Sequence, residues 1–306
     1  SQPATVNRIE PSPHSPAKAY LAVYRYRLDD FRPFIYRTTD YGLSWTLLTG
    51  GDNGIPEHHP IRVVREDPVR SGLLYAGTEF ALFVSFDDGE HWQSLQLNLP
   101  HTPITDLKVH RDDLVVATQG RSFWILDDMT PLRQINDEVA RSRAHLFQPR
   151  QTFRTGAQEG EGHYRRDHVY GAMLPKSWKA QNPPEGVIIY YHFVEEPDDI
   201  RLEIIGAGGG TVRSFEAGDV SHKIGMNRFV WDLRHPGPNM PRVMAGPRAV
   251  PGSYRVRLTT SDWRRYTASE AVLDVPGLSG DYIRDFYRKA YLLSLIHISE
   301  PTRPTT

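Results

Sequence analysis

Short runs of alternating hydrophobic and polar residues dominate the first half of the chain. Examples are IRVVRED (61–67), LLYAGT (73–78) and ALFVSF (81–86), which are rich in β-branched and aromatic residues and are separated by turn-forming residues. Their apolar period is near two and not near 3.6, which favours strands over helices. Three or four such runs recur in every stretch of about 40 residues, which predicts a series of small antiparallel sheets.

An internal repeat accompanies these runs. RTTDYGLSW (37–45) and VSFDDGEHW (84–92) carry Asp, Gly and Trp at the same spacing. An alignment reveals a third copy: LYAGTEFALFVSFDD (74–88) aligns without a gap with LVVATQGRSFWILDD (114–128). This copy has Met129 in place of the glycine and no tryptophan, as expected of a terminal or degenerate repeat.

One turn accounts for the residue types of the repeat. The hydroxyl and the aspartate are expected to bond to backbone amides of the turn, the glycine to supply a positive φ, and the tryptophan to fold back over the hairpin. The alternative, in which Asp87 and Asp88 form a catalytic carboxylate pair, leaves the glycine and tryptophan unexplained. The predicted structural residues are Thr38, Asp40, Gly42, Trp45, Ser85, Asp87, Gly89, Trp92 and Asp127.

The spacing S/T-x-D-x-G-x-x-W resembles the Asp-box, or BNR, repeat of sialidases, several glycoside hydrolases and sortilin-type propellers. GRSFWILDD (120–128) is similar to a phrase of exported bacterial BNR propellers described as glycosyl hydrolase-like or sortilin-like. The resemblance covers about residues 1–145. It implies an all-β fold with a partial β-propeller of about three blades over residues 1–143, a structural role for the boxes, and export to the periplasm, the cell surface or the medium. It supplies no catalytic residue.

The predicted turns mark one edge of the sheets. Connections between second and third strands, and between successive sheets, then lie at the opposite edge, where propellers carry function. These connections are 25–33, 51–60, 78–81, 99–105 and 119–123, and the first is expected to protrude. Their candidate ligand-binding residues are Arg27, Asp29, Asp30, Glu57, His58, His59, Glu79, His101 and Arg121.

Each candidate also has a structural interpretation. Asp29 and Asp30 fit solvated turn acids. Glu79 would serve as a general acid only in a buried setting that raises its pKa. Arg121 follows a glycine and fits either a clamp for a carboxylate or sugar or an ion pair with a neighbouring acid. The catalytic residues are therefore unknown from the sequence.

Composition narrows the function classes. The 306 residues contain 36 Lys and Arg against 37 Asp and Glu, a net charge of -1 that argues against a nucleic-acid partner. There is no cysteine, so disulfides, thiolate catalysis and cysteine–zinc sites are excluded. His58 and His59 are adjacent and point to opposite sides of an extended segment, so no metal site and no cofactor is predicted. No apolar run is long enough to predict a membrane span.

The second half changes character. Residues 144–185 are rich in Gly, Arg and Gln and predict a linker. Strand patterns resume at GVIIYYHF (186–193), and residues 186–276 resemble the Ig-like or fibronectin-III-like β-sandwiches that follow propeller modules, with Trp231 in the core beside Tyr254. Residues 277–292 predict the start of an amphipathic helix.

The chain ends suggest a fragment of a longer protein. LSLIHISEPTR (293–303) matches the translation of a common sequencing-library adapter, so we expect residues 293–306 to be an artefact. The sequence begins at Ser1 and not at a methionine. We therefore expect the C-terminal part of an environmental sequence, with other blades upstream.

Three functions are consistent with these patterns. The first is an exported propeller protein that binds a peptide, protein or carbohydrate ligand at the edge opposite the Asp boxes. The second is a glycoside hydrolase of the Asp-box type acting on polysaccharide, with its catalytic carboxylates mostly outside this fragment. The third is a structural role in an assembly.

Overall fold

The computed structural model describes residues 4–153, 184, 186–237, 246–262 and 265–275. The chain divides into two compact units, Ser1–Ser142 and Arg143–Thr306. The described residues form strands with only a few short helical segments, so the all-β prediction is confirmed. None of the helices in this part of the chain is long and apolar enough to cross a membrane. The helix and tail predicted over 277–306 lie outside the described residues.

Two four-stranded antiparallel sheets open the first unit, each with its strands in chain order. The first sheet consists of β1 (Thr5–Pro11), β2 (Ala19–Arg25), β3 (Asp30–Thr38) and β4 (Thr46–Leu47). The second consists of β5 (Ile61–Glu66), β6 (Leu74–Thr78), β7 (Leu82–Ser85) and β8 (Gln93–Ser94). Because neighbours in the chain are neighbours in the sheet, the connections alternate between the two edges of each sheet.

The third sheet has three strands, in the order β11–β10–β9. They are β9 (Ile104–His110), β10 (Asp113–Thr118) and β11 (Phe123–Leu126). Where the other sheets have a fourth strand, the chain forms the helices α1 (Thr130–Gln134) and α2 (Asp137–Arg141). The sequence did not predict these helices because five residues are too few to show a helical period; only Pro131 and the N-cap Asn136 mark them.

The first predicted loop, 25–33, is shorter than expected. Tyr26–Leu28 form one 3-10 turn, and Asp29 closes it in the left-handed conformation, with φ 62°. β3 already begins at Asp30, so residues 30–33 belong to a strand. The expected protrusion is therefore a compact turn.

Successive sheets pack through their faces. Tyr20 of the first sheet and Trp92 of the second belong to one buried cluster, and Tyr75 of the second sheet and Leu107 of the third belong to another. The second sheet is therefore covered on both faces, which explains why all five residues of β6 are buried. Burial on both faces also explains its continuous apolar sequence.

Two acids of the second sheet's turns also connect neighbouring elements. The carboxylate of Asp88, which is 28% exposed, contacts Lys18 Nζ at 2.8 Å and Arg37 Nη1 at 2.7 Å. Lys18 lies in the connection that enters β2, and Arg37 lies in β3. The Asp67 side chain is fully buried and accepts from Arg133 Nε of α1 at 3.0 Å. Both acids hold neighbouring elements together. The Asp67 carboxylate is fully buried, so removing Arg133 would leave a buried charge without a cation. Asp88 therefore forms ion pairs across the interface between the first and second sheets, and it does not form a carboxylate pair with Asp87.

The turn after β3 is built on Asp40. Thr38 Oγ1 donates to Asp40 Oδ1 at 2.7 Å and accepts from the amide of Gly42 at 2.9 Å. Asp40 Oδ1 accepts from the amide of Ser44 at 2.9 Å, and Trp45 Nε1 donates to the carbonyl of Gly42 at 3.1 Å. The Ser44 hydroxyl, with these amides, lowers the pKa of Asp40 to about 2.

The turn after β7 repeats these bonds. Ser85 Oγ donates to Asp87 Oδ1 at 2.8 Å and accepts from the amide of Gly89 at 2.9 Å. Asp87 Oδ1 accepts from the amide of His91 at 2.9 Å. Gly42 and Gly89 have φ of 88° and 90°, which glycine adopts without steric cost. Asp40 and Asp87 therefore lie in two separate turns that share one geometry.

The two tryptophans differ. Trp92 is 3% exposed and packs between the first and second sheets, whereas Trp45 is 39% exposed. The expectation that both tryptophans bury their hairpins is wrong for Trp45. Trp92 faces the preceding sheet, while no sheet of the described residues precedes Trp45. In the third copy, Asp128 Oδ1 accepts from the hydroxyl of Thr130 at 2.6 Å, and Asp127 directly follows β11.

The second unit contains two sheets. One has the order β12–β13–β16, and the other β15–β14–β17–β18. The strands are β12 (Ala144–Leu146), β13 (Val187–Phe193), β14 (Asp199–Ile205), β15 (Thr211–Glu216), β16 (Gly225–Trp231), β17 (Gly252–Asp262) and β18 (Arg265–Val275). β12 falls within the predicted linker 144–185; its three residues were too few to predict a strand.

Both sheets of this unit contribute to one core. Tyr191 and Trp231 enter it from one sheet, and Leu202 and Leu258 from the other. Trp231 is fully buried, and its ring meets that of Tyr254 at 5.3 Å in an edge-on contact. The predicted core position of Trp231 is confirmed.

The Asp87 turn gives a direct stability test. Replacing Asp87 with alanine removes the acceptor for the amide of His91, and we expect the free energy of unfolding to fall by about 1–2 kcal/mol, the scale of a lost helix cap. Urea denaturation followed by tryptophan fluorescence measures the change. Glu90→Ala removes an exposed acid of the same turn and should change stability by less than about 0.5 kcal/mol. Equal effects of the two substitutions would contradict the role given to Asp87.

Candidate functional site

Connections from all three sheets of the first unit meet in a cleft of ≈ 450 Å³. The cleft lies at the edge opposite the Asp40 and Asp87 turns, because it uses the β2–β3 and β6–β7 connections and the segments that enter β5 and β9. Its lining residues are Tyr26, Phe31, Pro60, Glu79, Phe80, His101, Thr102 and Pro103.

The first sheet supplies two aromatic rings to the cleft. Tyr26 lies in the 3-10 turn, and its ring stacks on that of Tyr24 with centroids 4.6 Å apart. Phe31 lies at the start of β3 and is 45% exposed. The turn and the strand start thus hold both rings at the surface.

The β6–β7 connection presents a third ring. The buried Thr78 hydroxyl accepts from the amides of Phe80 at 3.1 Å and Ala81 at 2.9 Å, and the amide of Glu79 donates to the carbonyl of Pro60 at 3.1 Å. A threonine that binds the next amides in this way fixes a tight turn. Phe80 consequently projects outward and is 47% exposed.

The segment before β9 closes the cleft. The amide of Thr102 donates to the carbonyl of Phe80 at 3.3 Å, and the Thr102 hydroxyl donates to the carbonyl of Gln119 at 3.0 Å. These bonds connect the second and third sheets at their loop edge. They place His101 on the cleft wall near Phe80.

His59 lies behind the wall. Its ring contacts Phe80 with centroids 5.2 Å apart and Phe83 with centroids 5.7 Å apart. Its Nδ1 is buried and has no hydrogen-bond partner among the described residues. Burial lowers the pKa of His59, and the neighbouring His101 and His58 lower it further. The neutral ring therefore supports Phe80 from inside.

Glu79 is the one carboxylate among the lining residues. Arg62 Nε donates to Glu79 Oε1 at 2.7 Å, and Arg62 itself lies on β5. The pair is partly exposed, with side-chain exposures of 26% for Arg62 and 19% for Glu79. The cleft thus combines three aromatic rings with a neutralised acid, an imidazole and a hydroxyl.

The structure separates the predicted binding residues into two groups. Glu79 and His101 line the cleft, and His59 lies directly behind it. The others do not line it; they are Arg27, Asp29, Asp30, Glu57, His58 and Arg121.

Asp30 shows what these other residues do. Its carboxylate contacts Arg25 at 3.0 Å and Arg32 at 2.9 Å, and the bond from Arg32 holds the pKa of Asp30 below its usual value. Asp29 closes the 3-10 turn, and the carbonyl of Arg121 accepts from Trp124 Nε1 at 2.9 Å. Asp30 and Asp29 thus have local structural contacts of the kind expected of turn acids.

Aromatic residues are what the sequence reasoning missed. Tyr26, Phe31 and Phe80 all fall within the connections selected as functional, but only charged and histidine side chains were taken as candidates there. Exposed aromatic residues in connections between strands are the signal that identifies them.

One cluster resembles a metal site in composition. Asp87, Glu90 and His91 offer three ligand atoms that lie within 4.8 Å of one another. All three residues are exposed, and Asp87 already accepts from Ser85 and from the amide of His91. We assign no metal to this cluster, since the turn accounts for its geometry.

A second polar cluster joins the first strands of the three sheets. Arg65 of β5 contacts Asp106 of β9 at 2.7 Å and also contacts Glu10 of β1, while Arg8 of β1 contacts Asp106. Two arginines and two acids balance in charge. The cluster therefore holds the three strands side by side.

Comparisons with known proteins do not assign this chain to a family. No protein-family model and no curated protein matches the chain. Among solved structures, the GH74 xyloglucanase of Xanthomonas campestris is 14% identical, with a TM-score of 0.33. The match covers 87% of this chain and 49% of the xyloglucanase chain. An ancestral GH74 enzyme is 10% identical, with a TM-score of 0.31, and the match covers 87% of this chain and 38% of that enzyme. CopC from Methylosinus trichosporium OB3b is 14% identical, with a TM-score of 0.21, and the match covers 33% of this chain and 84% of CopC. TM-scores this low carry no argument about function.

The burial of His59 predicts a pH dependence. Its pKa is lower in the folded chain than in the unfolded chain, so the unfolded state takes up the proton first as the pH falls. Above the unfolded pKa of about 6.5, the titration of His59 does not change the free energy of unfolding. As the pH falls through that value towards the lowered folded pKa, it reduces the free energy of unfolding. We expect His59→Gln to flatten the pH dependence of the unfolding temperature between about pH 7 and 5.

Thermal unfolding followed by circular dichroism at several pH values tests this. His58→Gln is the matched control, because His58 is exposed and adjacent in the sequence. Identical pH profiles for the wild type and His59→Gln would show that His59 does not titrate in this way.

Proposed function

We propose that this chain is part of an exported Asp-box propeller protein and that the cleft of its first unit binds a carbohydrate. The observation that carries the proposal is the meeting of Tyr26, Phe31 and Phe80 with Glu79 and His101 in one cleft. Among the peptide, protein and carbohydrate ligands that the sequence allows, this combination favours a carbohydrate.

A sugar ring has the matching chemistry. The C–H faces of a pyranose are apolar and pack on flat aromatic rings, while its hydroxyls need hydrogen-bond partners at the ring edge. Phe31 and Phe80 remain 45% and 47% exposed, so their faces are accessible to a ligand. Exposed apolar groups in a concave site with a few polar groups are typical of ligand sites.

The polar groups favour a neutral ligand. Arg62 compensates the charge of Glu79 at 2.7 Å, so the carboxylate accepts hydroxyl hydrogen bonds without presenting an unpaired charge. The neighbouring Thr102 hydroxyl is engaged with the carbonyl of Gln119. The binding energy would therefore come mainly from the rings.

The architecture supports the propeller interpretation. Consecutive sheets with strands in chain order pack through their faces, as blades do, and the Asp40 and Asp87 turns have the bonds expected of Asp boxes. Residues 1–143 would contribute about three blades, and residues 186–276 an Ig-like or fibronectin-III-like sandwich. Export rests on the family resemblance alone, and the net charge of -1 gives no support for a nucleic-acid partner.

Hydrolysis is the second candidate. A glycoside hydrolase needs two carboxyl groups about 5–10 Å apart across the sugar bond. Glu79 provides one at the cleft, and no second carboxylate lines the cleft among the residues that the structure describes. We therefore expect the 306-residue chain to bind polysaccharide without cleaving it.

Binding to a panel of soluble neutral and acidic polysaccharides tests the proposal. We expect the full chain to be retarded in affinity electrophoresis by at least one neutral polysaccharide. Phe80→Ala should weaken that binding about tenfold, or about 1.4 kcal/mol, because it removes one of the three aromatic rings that line the cleft. Phe123→Ala is the matched control, since Phe123 is 59% exposed on β11 and does not line the cleft.

The outcomes separate the candidates. Retardation lost in Phe80→Ala and kept in Phe123→Ala supports the cleft as the binding site. Release of reducing sugar by the wild type but not by Glu79→Gln would show that the chain hydrolyses polysaccharide, and the binding proposal would then be wrong. No retardation by any polysaccharide, or equal retardation of the two phenylalanine variants, would contradict the proposal.

A further inference from the structure

The outer face of the first sheet, on the side away from the second sheet, carries a row of apolar side chains. Directly opposed residues of the four paired strands make up this row, which consists of Ile9, Leu21, Tyr36 and Leu47. Tyr20 and Ile35, which adjoin the row along β2 and β3, belong to the buried cluster shared with the second sheet. Side chains alternate along a strand, so the row points the other way. Ile9 is 59% exposed and Leu47 is 40% exposed.

The corresponding row of the second sheet is covered by a neighbouring sheet. It consists of Val64, Ala76, Phe83 and Ser94. The two rows correspond because Tyr36 and Phe83 each lie two residues before the hydroxyl residue of their Asp turn. Val64 and Ala76 are fully buried and Phe83 is 4% exposed, all in the cluster shared with the first sheet. The partner that fits the row of the first sheet is therefore the face of another sheet, of the kind that covers Phe83.

The third sheet exposes a face of the opposite kind. In the second sheet, Tyr75 lies directly opposite Val84, and both are buried in the cluster shared with the third sheet. The third copy of the repeat places Val115 at the position of Tyr75, and Val115 lies directly opposite Ile125. Leu114, which precedes Val115, is buried against the second sheet, so Val115 and Ile125 point away from it. Ile125 is 50% exposed.

These two end faces are complementary. In each internal interface, the face that one sheet turns towards the next packs on the face that the next sheet turns back. Within the described residues of the first unit, the first sheet has no sheet before it and the third has none after it. The second sheet lies between the two end faces, and three sheets are fewer than the usual range of about four to eight in closed propellers. The end faces can therefore meet only between copies of the chain.

Ion pairs show how the sheets are arranged around one another. Arg65 of β5 contacts Glu10 of β1 and Asp106 of β9, and Arg8 of β1 also contacts Asp106. The first strands of all three sheets therefore converge, and the sheets radiate from a common line as blades do. A head-to-tail contact that turns about such a line closes into a ring instead of extending into a filament. Two copies supply six sheets, within the usual range of about four to eight.

We infer that the outer face of the first sheet binds the outer face of the third sheet of a second copy, so that two copies close a ring of six sheets. The inference rests on the propeller interpretation of the proposed function and not on its carbohydrate ligand. The ring would bury the exposed side chains of Ile9, Leu47 and Ile125, since a monomer rarely presents a continuous apolar surface of this kind. It contains two identical seams, each between a first and a third sheet.

Size-exclusion chromatography of the full chain with multi-angle light scattering tests the ring. We expect the wild type to have the molar mass of two chains. Ile9→Asp and Ile125→Asp each place a carboxylate in both seams, and each should raise the dissociation constant about tenfold or more, because closing an apolar seam removes the charge from water. Both side chains are at least half exposed in a single copy, so the substitutions leave the fold intact. Val69→Asp is the matched control, since Val69 is 66% exposed in the β5–β6 connection of the second sheet, outside both end faces.

Mixing the two variants tests the head-to-tail arrangement. Ile9→Asp keeps an unaltered third-sheet face, and Ile125→Asp keeps an unaltered first-sheet face. The mixture should therefore regain a two-chain species through one unaltered seam, at a concentration at which each variant alone is a monomer. A contact between two identical faces would instead leave one of the variants a dimer by itself.

The inference is supported by a two-chain wild type and Val69→Asp, by monomeric Ile9→Asp and Ile125→Asp with the circular dichroism spectrum of the wild type, and by a two-chain mixture. A monomeric or larger wild-type species, a monomeric Val69→Asp, a two-chain form of either single variant, or a mixture that stays monomeric would overturn it. A wild-type monomer that binds polysaccharide would overturn the ring alone. A wild-type dimer that binds no polysaccharide would overturn the carbohydrate ligand alone.

Discussion

The hydrogen bond between an aspartate carboxylate and the amide four residues later is the constraint on which the first unit depends. In the second sheet, Asp87 accepts from the amide of His91 at 2.9 Å, and this bond closes the connection to β8. Closure brings Trp92 back between two sheets, where it is 3% exposed. The first two sheets pack around Trp92, and the second and third pack through Tyr75 and Leu107. This packing brings the opposite edges of the three sheets together, and the cleft forms there.

Acids in this unit are therefore mostly structural. Asp87 holds a turn, Asp88 and Asp67 hold neighbouring elements through cations, and Asp106 joins the first strands. Even Glu79 in the cleft has a cationic partner at 2.7 Å. Because each of these acids is engaged, the proposed ligand site works chiefly through aromatic surface and shape.

Local patterns explain what the sequence predicts well. The strands of the first unit follow from alternation, and the choice of loop edge follows from the parity of strands around the repeated turn. Trp231 and Tyr254 were recognisable because core aromatic residues recur in the β-sandwiches that this part of the sequence resembles, and their rings meet at 5.3 Å. Glu79 and His101 were selected because they lie in connections at the edge opposite the turns.

Non-local contacts explain what the sequence did not predict. Tyr26, Phe31 and Phe80 come from separate connections, and only the packing of sheets brings their rings together. The helices α1 and α2 and the strand β12 are each five residues or fewer, which is too short to show a period.

Hydrogen–deuterium exchange of the full chain, with and without a retarding polysaccharide, tests the central claim that the ligand binds at the edge opposite the Asp turns. The account predicts slower exchange in the connections 78–81 and 99–105, with no change in the turns 38–45 and 85–92. Slower exchange in the two turns, with the connections unaffected, would contradict it.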